Sequence, residues 1–497
     1  MSIAPLFLED EAATIRFGED LARAVRPGDL ITLSGDLGAG KSTLARALIR
    51  AIADDAALEV PSPTFTLVQS YALSLPVSHF DFYRLADAEE VDELGLDEAL
   101  EDGVCLVEWP EKAEAALPAD RLTLRFVHEG TGRRIEFAGG REGLRQRIAR
   151  SLAIRDFLIG AGHADAMRRH LTGDASVRAY ETVTTADGGR MVLMDAPAHV
   201  PGPIIVDGKY YQQIAHIAEN VRPFVAVDRH LAARGFAVPA IFHEDLGRGL
   251  LLIEDLGRES VLDEAGLPVV GRYEAAVDCL ARLHAQPAAS AVPVSDGTMH
   301  RIPDFDRDAI QIEVGLLTDW YLPWKRGTPA TEDERRAYRT VWDDLIETLR
   351  SAERNLLLRD FHSPNIIWRP QAAGIDRVGI IDFQDAMIGP TAYDVASLTQ
   401  DARVDMPEGL TETLLARYLA LRATSPGFDA ATFRRDWHVM AAQRNCKLVG
   451  IWVRLMQRDG KPGYMKHMPR TFRNLETALS HPALAPLRAW CEAAGIR

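Results

Sequence analysis

The pattern of apolar and polar positions changes character near residue 150. Residues 12–26 read as a helix, followed by the turn Arg26-Pro27-Gly28-Asp29 and an apolar run at 30–33. That run is a buried-strand candidate leading into a glycine-rich loop and a helix of Ala, Leu and Arg. Further short strands are predicted at 66–71, 78–82, 104–108, 121–127 and 134–137. Strands alternating with helices predict an α/β sheet over roughly the first 140 residues. Gly139-Gly140 then breaks the pattern ahead of an arginine-rich helical stretch at 144–158. A boundary is expected near 145–155, giving a first domain of 1–148 and a second of 149–497.

The second domain opens with two strands, 178–185 and 190–194, joined by the hairpin signature Ala186-Asp187-Gly188-Gly189. A second pair, 240–243 and 249–253, flanks Leu246-Gly247-Arg248. From about 268 onward the pattern is mainly helical, interrupted by short strands around 366–368 and 378–382. The expectation is a small β-rich lobe over about 165–257 and a larger helical lobe over about 258–497.

Composition narrows the class. A chain of 497 residues has a prior of about three folding units. Its 47% hydrophobic and 26% charged residues exclude a disordered or fibrous protein. The net charge of −16 argues against nucleic-acid binding through bulk charge, though a local basic groove stays open. Four cysteines without a CxxC pair predict neither a disulfide framework nor a zinc knuckle, which fits a reducing cytoplasm. The first residues show no basic segment followed by an apolar one, so no signal peptide is expected. Apolar runs such as 249–253 are far too short to span a bilayer.

Candidate chemistry begins at Ser34-Gly35-Asp36-Leu37-Gly38-Ala39-Gly40-Lys41-Ser42-Thr43, which contains G-x-x-x-x-G-K-[ST] between a predicted strand and a predicted helix. Backbone N–H groups of Asp36 to Thr43 would cradle phosphates at the helix N-terminus. Lys41 would reach the β/γ-phosphates and the Ser42 hydroxyl would bind Mg²⁺. Only seven lysines occur in the chain, so one inside this pattern carries weight. Asp81 and Glu108 stand at predicted strand ends as acidic partners, and Ser62 and Thr64 lie on a proline-stiffened loop that could reach the γ-phosphate.

Four segments in order, GDLGAGKST, SPTFTLV, HFDFYRL and VEWPE, resemble the TsaE (YjeE-like) ATPase family over about residues 10–140. The family is a small P-loop ATPase that helps make threonylcarbamoyladenosine on ANN-decoding tRNAs with the TsaB and TsaD proteins. The resemblance implies that Ser42 and Glu108 bind Mg²⁺, that Asp81 supports hydrolysis and that Trp109 sits beside the nucleotide. The family commonly has threonine where this chain has Ser42, a change that keeps the hydroxyl. It also implies TsaB/TsaD-like partners, with tRNA contacted only indirectly. An assembly module gated by nucleotide is the alternative.

A second centre is predicted at 358–368, where Asp360 and Asn365 have the spacing of a kinase catalytic loop. Asp382 follows at the end of an apolar strand, in the place of a second metal ligand. Ser176, in Gly173-Asp174-Ala175-Ser176, could cover phosphates, and Glu254 and Leu256 could lie in an inter-lobe hinge against adenine. No V-A-I-K lysine is present; the corresponding strand runs Met191-Val192-Leu193-Met194-Asp195. Lys209 or Arg178 would replace it, or the contact is absent.

From about 150 to the end, LTGDASVRAY, MVLMDAP, LLIEDLG, RDFHSPN, IDFQDAMIGPTAYDVASL and QRNCKLVGIWVRL resemble aminoglycoside-phosphotransferase-like kinases. They are most similar to the N-acetylmuramate/N-acetylglucosamine anomeric kinases (AmgK), which share the lysine-free strand. The resemblance implies a bilobal α+β protein-kinase-like fold and ATP-dependent phosphorylation of an amino-sugar C1 hydroxyl in cell-wall recycling. Asp360 would be the catalytic base, with Asn365 and Asp382 as Mg²⁺ ligands. Choline, fructosamine or aminoglycoside acceptors are the alternatives. Arg444, Lys447 and Arg454 fall on one face of a predicted helix, which suits an anionic acceptor or a solvated basic stripe. A bifunctional enzyme without membrane segments is expected.

Overall fold

The computed structural model describes residues 3–85, 87–171, 178–198, 202–206 and 208–496. They form two compact units, 1–195 and 196–497. The first unit contains, in order, β1 (Leu6–Leu8), α1 (Glu11–Ala24), β2 (Leu30–Ser34), α2 (Lys41–Ala53), β3 (Val68–Tyr71) and β4 (Val77–Asp81). α3 (Leu96–Asp102), β5 (Val104–Glu108), β6 (Leu122–Glu129), β7 (Gly132–Gly139) and α4 (Glu142–Gly160) follow. The unit ends with β8 (Met167–Leu171), β9 (Ala179–Thr184) and β10 (Arg190–Asp195).

Seven of these strands make one mixed sheet in the order β1-β7-β6-β2-β5-β4-β3. β2 runs parallel to both β5 and β6, and β4 parallel to β5. Strands β4 and β5 are buried at every position; β5 reads as an apolar run up to Glu108, whereas β4 also buries Ser78, His79 and Asp81. One core layer joins Phe17, Leu21, Leu44, Leu48 and Ile148 to Ile31 and Leu33 of β2. A second gathers Leu30, Phe80, Phe82, Cys105 and Val107. Helices α1 and α2 approach closely at Gly18, where a Cβ would meet the Ala47 Cβ at 2.7 Å. The sheet therefore fixes the C-terminal ends of β2, β4 and β5 side by side, where a P-loop fold carries its chemistry.

β8, β9 and β10 form an antiparallel meander. The expected hairpin closes through Thr185 N–H to Gly189 O at 2.9 Å, with Gly188 at φ 86. β8 is absent from the sequence expectation. Residue 148, the expected boundary, lies inside the continuous helix α4.

The second unit begins with β11 (Ile204–Val206), β12 (Lys209–Tyr210), α5 (Tyr211–Ile214), α6 (Arg222–Ala233), β13 (Ile241–Asp245) and β14 (Leu250–Glu254). α7 (Val270–His284), β15 (Ala291–Pro293), β16 (Met299–Arg301), α8 (Arg307–Leu316), α9 (Leu322–Arg326) and α10 (Glu332–Thr348) come next. The segment that carries Asp360, Asn365 and Asp382 is framed by β17 (Arg354–Leu357), β18 (Ile366–Trp368), β19 (Val378–Ile380) and β20 (Met387–Pro390). α11 (Ala392–Thr399), α12 (Leu410–Arg422), α13 (Ala430–Gln457), α14 (Met468–Leu479) and α15 (Ala485–Ala493) complete it. β13 pairs with β14, β17 with β20 and β18 with β19, all antiparallel. α13, 28 residues long, runs through the centre of this unit and buries Trp437, Met440, Val449 and Trp452. The strand expected at 378–382 stops at Ile380, and Asp382 takes the left-handed conformation at φ 61.

Candidate active sites

In the first unit the P-loop wraps the N-terminus of α2. Gly40 has φ 106, a backbone conformation that side-chain-bearing residues rarely adopt and glycine takes without strain. A cleft of about 340 Å³ is lined by Leu37, Gly38, Gly40, Lys41, Ser42 and Thr43 from this turn, with Ser62, Thr64, Asp81, Tyr83, Glu108 and Trp109 opposite. Asp36 contributes its carbonyl, which accepts from Lys41 Nζ at 2.9 Å, and Ala39 turns into the core at 1% exposure. The Lys41 ammonium also donates to Gly35 O at 2.7 Å and lies 3.8 Å from the centre of the Trp109 ring. Burial lowers its pKa, opposed by Glu108, Glu111, Asp81 and Asp36.

Ser42 Oγ donates to Glu108 Oε2 at 2.9 Å, while Glu108 Oε1 faces His79 Nε2 at 3.0 Å. Asp81 Oδ2 accepts from Thr64 Oγ1 at 2.7 Å and Ser62 Oγ at 3.1 Å, and its Oδ1 from Tyr83 N–H at 3.0 Å. The two acids thus hold separate groups of partners. A hydroxyl and a carboxylate side by side are hard oxygen donors, the set Mg²⁺ takes when phosphates and water complete its shell.

In the second unit Asp360 follows Arg359, whose backbone is left-handed at φ 70. Asn365 Nδ2 donates to Asp360 O at 2.9 Å and lies 3.2 Å from Asp382 Oδ2. Gln384 Nε2 donates to the other Asp382 oxygen at 2.9 Å. The sequence-expected trio Asp360, Asn365 and Asp382 is therefore one constellation. An amide oxygen and a carboxylate again suit Mg²⁺. Glu254 closes β14 onto Ala240, accepting its N–H at 3.1 Å, and Leu256 packs against Gly379, three residues before Asp382. Ser176 lies outside the described residues. Lys209 is exposed and lines a different cavity, of about 360 Å³, with His216 and Asp306.

The comparisons with known proteins divide at the same place as the chemistry. Residues 8–135 match the model "Threonylcarbamoyl adenosine biosynthesis protein TsaE", and residues 168–435, more than half of the chain, match the phosphotransferase enzyme family. The chain belongs to both families, TsaE first and phosphotransferase second. An N-acetylmuramate/N-acetylglucosamine kinase of Caulobacter vibrioides is 31% identical over 351 residues, 69% of this chain and 95% of the relative. The tRNA threonylcarbamoyladenosine biosynthesis protein TsaE of Haemophilus influenzae is 36% identical over 137 residues, 26% of this chain and 85% of the relative. A solved ethanolamine kinase of Plasmodium vivax is 14% identical, with a TM-score of 0.43, over 69% of this chain and 91% of that one.

In the TsaE-family part, sequence reasoning passed over His79. It sits two residues before Asp81, on the same face of β4, and is 1% exposed. A histidine facing inward at a strand end beside two acids is the signal that could have found it.

In the phosphotransferase part, the basic residues of α13 are not a solvated stripe. Arg444 and Lys447 are buried, at 4% and 7% exposure. Lys447 Nζ pairs with Glu313 at 2.8 Å, and Arg444 lies 3.8 Å from Asp360 Oδ1. The Arg454 guanidinium sits 4.9 Å from the centre of the Tyr211 ring. Burial pushes the Asp360 carboxyl up, but Lys447, Arg444, His362 and Arg359 together bring it down to about 2. His362 itself is lowered to about 4, by burial and then by Arg403. Glu313, Arg359 and Asp401, which takes the Ser363 N–H and hydroxyl at 2.9 and 2.6 Å, are site residues the sequence did not announce.

Proposed function

We propose that this chain is a bifunctional enzyme, an ATPase supporting threonylcarbamoyladenosine formation on tRNA joined to an ATP-dependent anomeric kinase of N-acetylmuramate or N-acetylglucosamine. The relatives' names support the two activities. The observation that carries the kinase reading is the cationic floor of Arg359, Arg444 and Lys447 beneath Asp360. A polycationic acceptor would be repelled there, whereas a neutral or carboxylate-bearing amino sugar is not. A hemiacetal hydroxyl is more acidic than an ordinary alcohol, so a base as weak as Asp360 suffices for its proton. Asp360 would orient that hydroxyl and accept its proton, with Asn365 and Asp382 as metal ligands. Arg444, 3.8 Å from Asp360, and Arg454, over the Tyr211 ring, would supply the positive charge that a carboxylate-bearing sugar needs. Bound Mg²⁺ would draw charge from the β/γ-phosphate oxygens.

In the first half, Lys41 would exchange its carbonyl partners for phosphate oxygens, and Ser42 and Glu108 would hold the metal. Asp81 would support hydrolysis by setting the Ser62 and Thr64 hydroxyls, and Trp109 would flank the nucleotide. A nucleotide-gated assembly role is favoured by Leu37 and Phe65, apolar side chains 79% and 81% exposed at and beside the cleft. TsaB/TsaD-like proteins would be the partners, leaving tRNA an indirect one. The functional boundary is proposed near 148/149, with a small lobe over about 165–257 and a large lobe over about 258–497. Four buried, unpaired cysteines fit a cytoplasmic setting. No helix among the described residues is long and apolar enough to cross a membrane.

Radiolabelled ATP offered with amino sugars, choline, fructosamine and aminoglycosides tests the kinase reading; no transfer to the amino sugars overturns it. Rescue of tRNA modification by Lys41→Ala and Glu108→Ala variants separates the ATPase from a scaffold, which would still rescue.

A further inference from the structure

Beneath Asp360 lies an acid to which no step has yet given a role. Glu313, on α8, has no solvent exposure. It takes Lys447 Nζ at 2.8 Å, the Arg359 guanidinium, and Gln443 Nε2 on its other oxygen at 2.8 Å. Gln443 and Lys447 are four residues apart on α13, so one helical turn presents both to Glu313. Arg359 spends its second nitrogen on Ala215 O at 3.0 Å. Arg444 donates to Arg359 O at 3.2 Å and to the Tyr393 hydroxyl at 3.4 Å. Of the five charged side chains, only Asp360 reaches outward, at 32% exposure against 0–9% for the others.

Arg359, Arg444 and Lys447 face Glu313 and Asp360, with Asp385 acting on Arg359 and Asp401 on Arg444 from further off. Without Glu313, the carboxylate left facing Lys447 would be Asp360, and Arg359 would be left with Asp385 and Asp360. Buried ion clusters are a poor source of stability compared with apolar packing of the same volume, so an arrangement this complete calls for another role.

We infer that Glu313 is a positioning residue for phosphotransfer: by engaging Arg359 and Lys447 it keeps both off Asp360, so that the carboxylate stays open toward the acceptor hydroxyl. This rests on the reading of Asp360 as the group that meets the acceptor. Glu313 itself touches no substrate.

The full-length Glu313→Gln protein is the test. With N-acetylmuramate as acceptor, kcat should fall by about 100-fold while both KM values stay near wild type, the low end of what a positioned proton acceptor contributes. Glu313→Gln combined with Lys447→Met restores the original charge balance, and kcat should recover to within about 10-fold of wild type. A crystal structure of Glu313→Gln should place Lys447 Nζ or the Arg359 guanidinium within about 4 Å of the Asp360 carboxylate. A variant that melts lower yet turns over normally per folded molecule would overturn the inference, as would an unrescued double variant or an unmoved cluster. Absence of sugar transfer by the wild type would defeat the acceptor assignment, and the variant's structure would still decide the role of Glu313.

Discussion

Ser42 and Glu108 are joined by a 2.9 Å hydrogen bond across 66 residues of sequence. The register of β2 beside β5, with Leu33 opposite Glu108, is what brings the P-loop to that carboxylate. His79 holds the other carboxylate oxygen from β4. His79→Ala should therefore leave nucleotide affinity near wild type but raise the Mg²⁺ concentration for half-maximal hydrolysis about 10-fold, as for groups that orient metal ligands. Glu108→Gln should do so more severely. Titration of ATPase rate against Mg²⁺ checks both; an unchanged midpoint for His79→Ala removes it from the site.

The two centres use different residues, which makes them separable by mutation. Asp360→Asn should lower amino-sugar phosphorylation by roughly 10²–10⁴-fold, the range for loss of a positioned proton acceptor. Hydrolysis of ATP without sugar, carried by the P-loop, should be unchanged. Product analysis for the sugar phosphate and a phosphate-release assay on the same preparation give both numbers. Parallel loss of both activities would mean that the centres are coupled.

Asp228, on α6, is 3% exposed and its Oδ2 has no hydrogen-bond partner. Burial pushes its carboxyl from 3.8 up to about 7, with Arg229 opposing and Glu254 adding. The folded protein thus keeps a proton that the unfolded chain releases above about pH 4. Stability should fall as pH rises from about 4 to 7, by at most about 4 kcal/mol, and then level off. Asp228→Asn should remove that slope and unfold at higher urea than wild type at pH 8, with no advantage at pH 4.5. Urea melts across this range decide it; parallel wild-type and variant curves would show that Asp228 is not the titrating group.

The sequence made the first unit's sheet legible because β2 and β5 bury the apolar runs 30–33 and 104–107, each ended by a polar residue. The P-loop was legible because its glycines and lysine are required by backbone conformation and charge together. Asp360, Asn365 and Asp382 were legible through spacing, since β18 and β19 form the hairpin that returns Asp382 to Asn365. Glu313 was not, because its partners lie 46 and 130 residues away or more and nothing local marks an acid inside an apolar helix. β8 was missed for a related reason: Met-Arg-Arg-His-Leu lacks apolar alternation, and its inward position is Arg168.

Arg168 is buried because Asp20 and Glu181 neutralise it. Its Nη1 donates to Asp20 Oδ1 at 2.8 Å, and Nε and Nη2 bind the two Glu181 oxygens at 2.7 and 3.0 Å. Arg155 of α4 grips the same Asp20 with two donors at 2.8 and 2.9 Å, and Ser151 Oγ donates to Asp20 O at 2.7 Å. α4 is thus a clamp between α1 and the β8–β9 pair rather than a loose connector. Removing one member of a buried ion network leaves a charge without its counter-ion, at a cost of about 3–5 kcal/mol. Asp20→Asn and Arg168→Met should each lower stability by that amount. The double variant should cost less than the sum of the two, because the Asp20–Arg168 contact is lost only once. Chemical denaturation of the full chain, with protease sensitivity around 161–166 as a second readout, measures the coupling. Additive losses would mean that the clamp acts through packing alone.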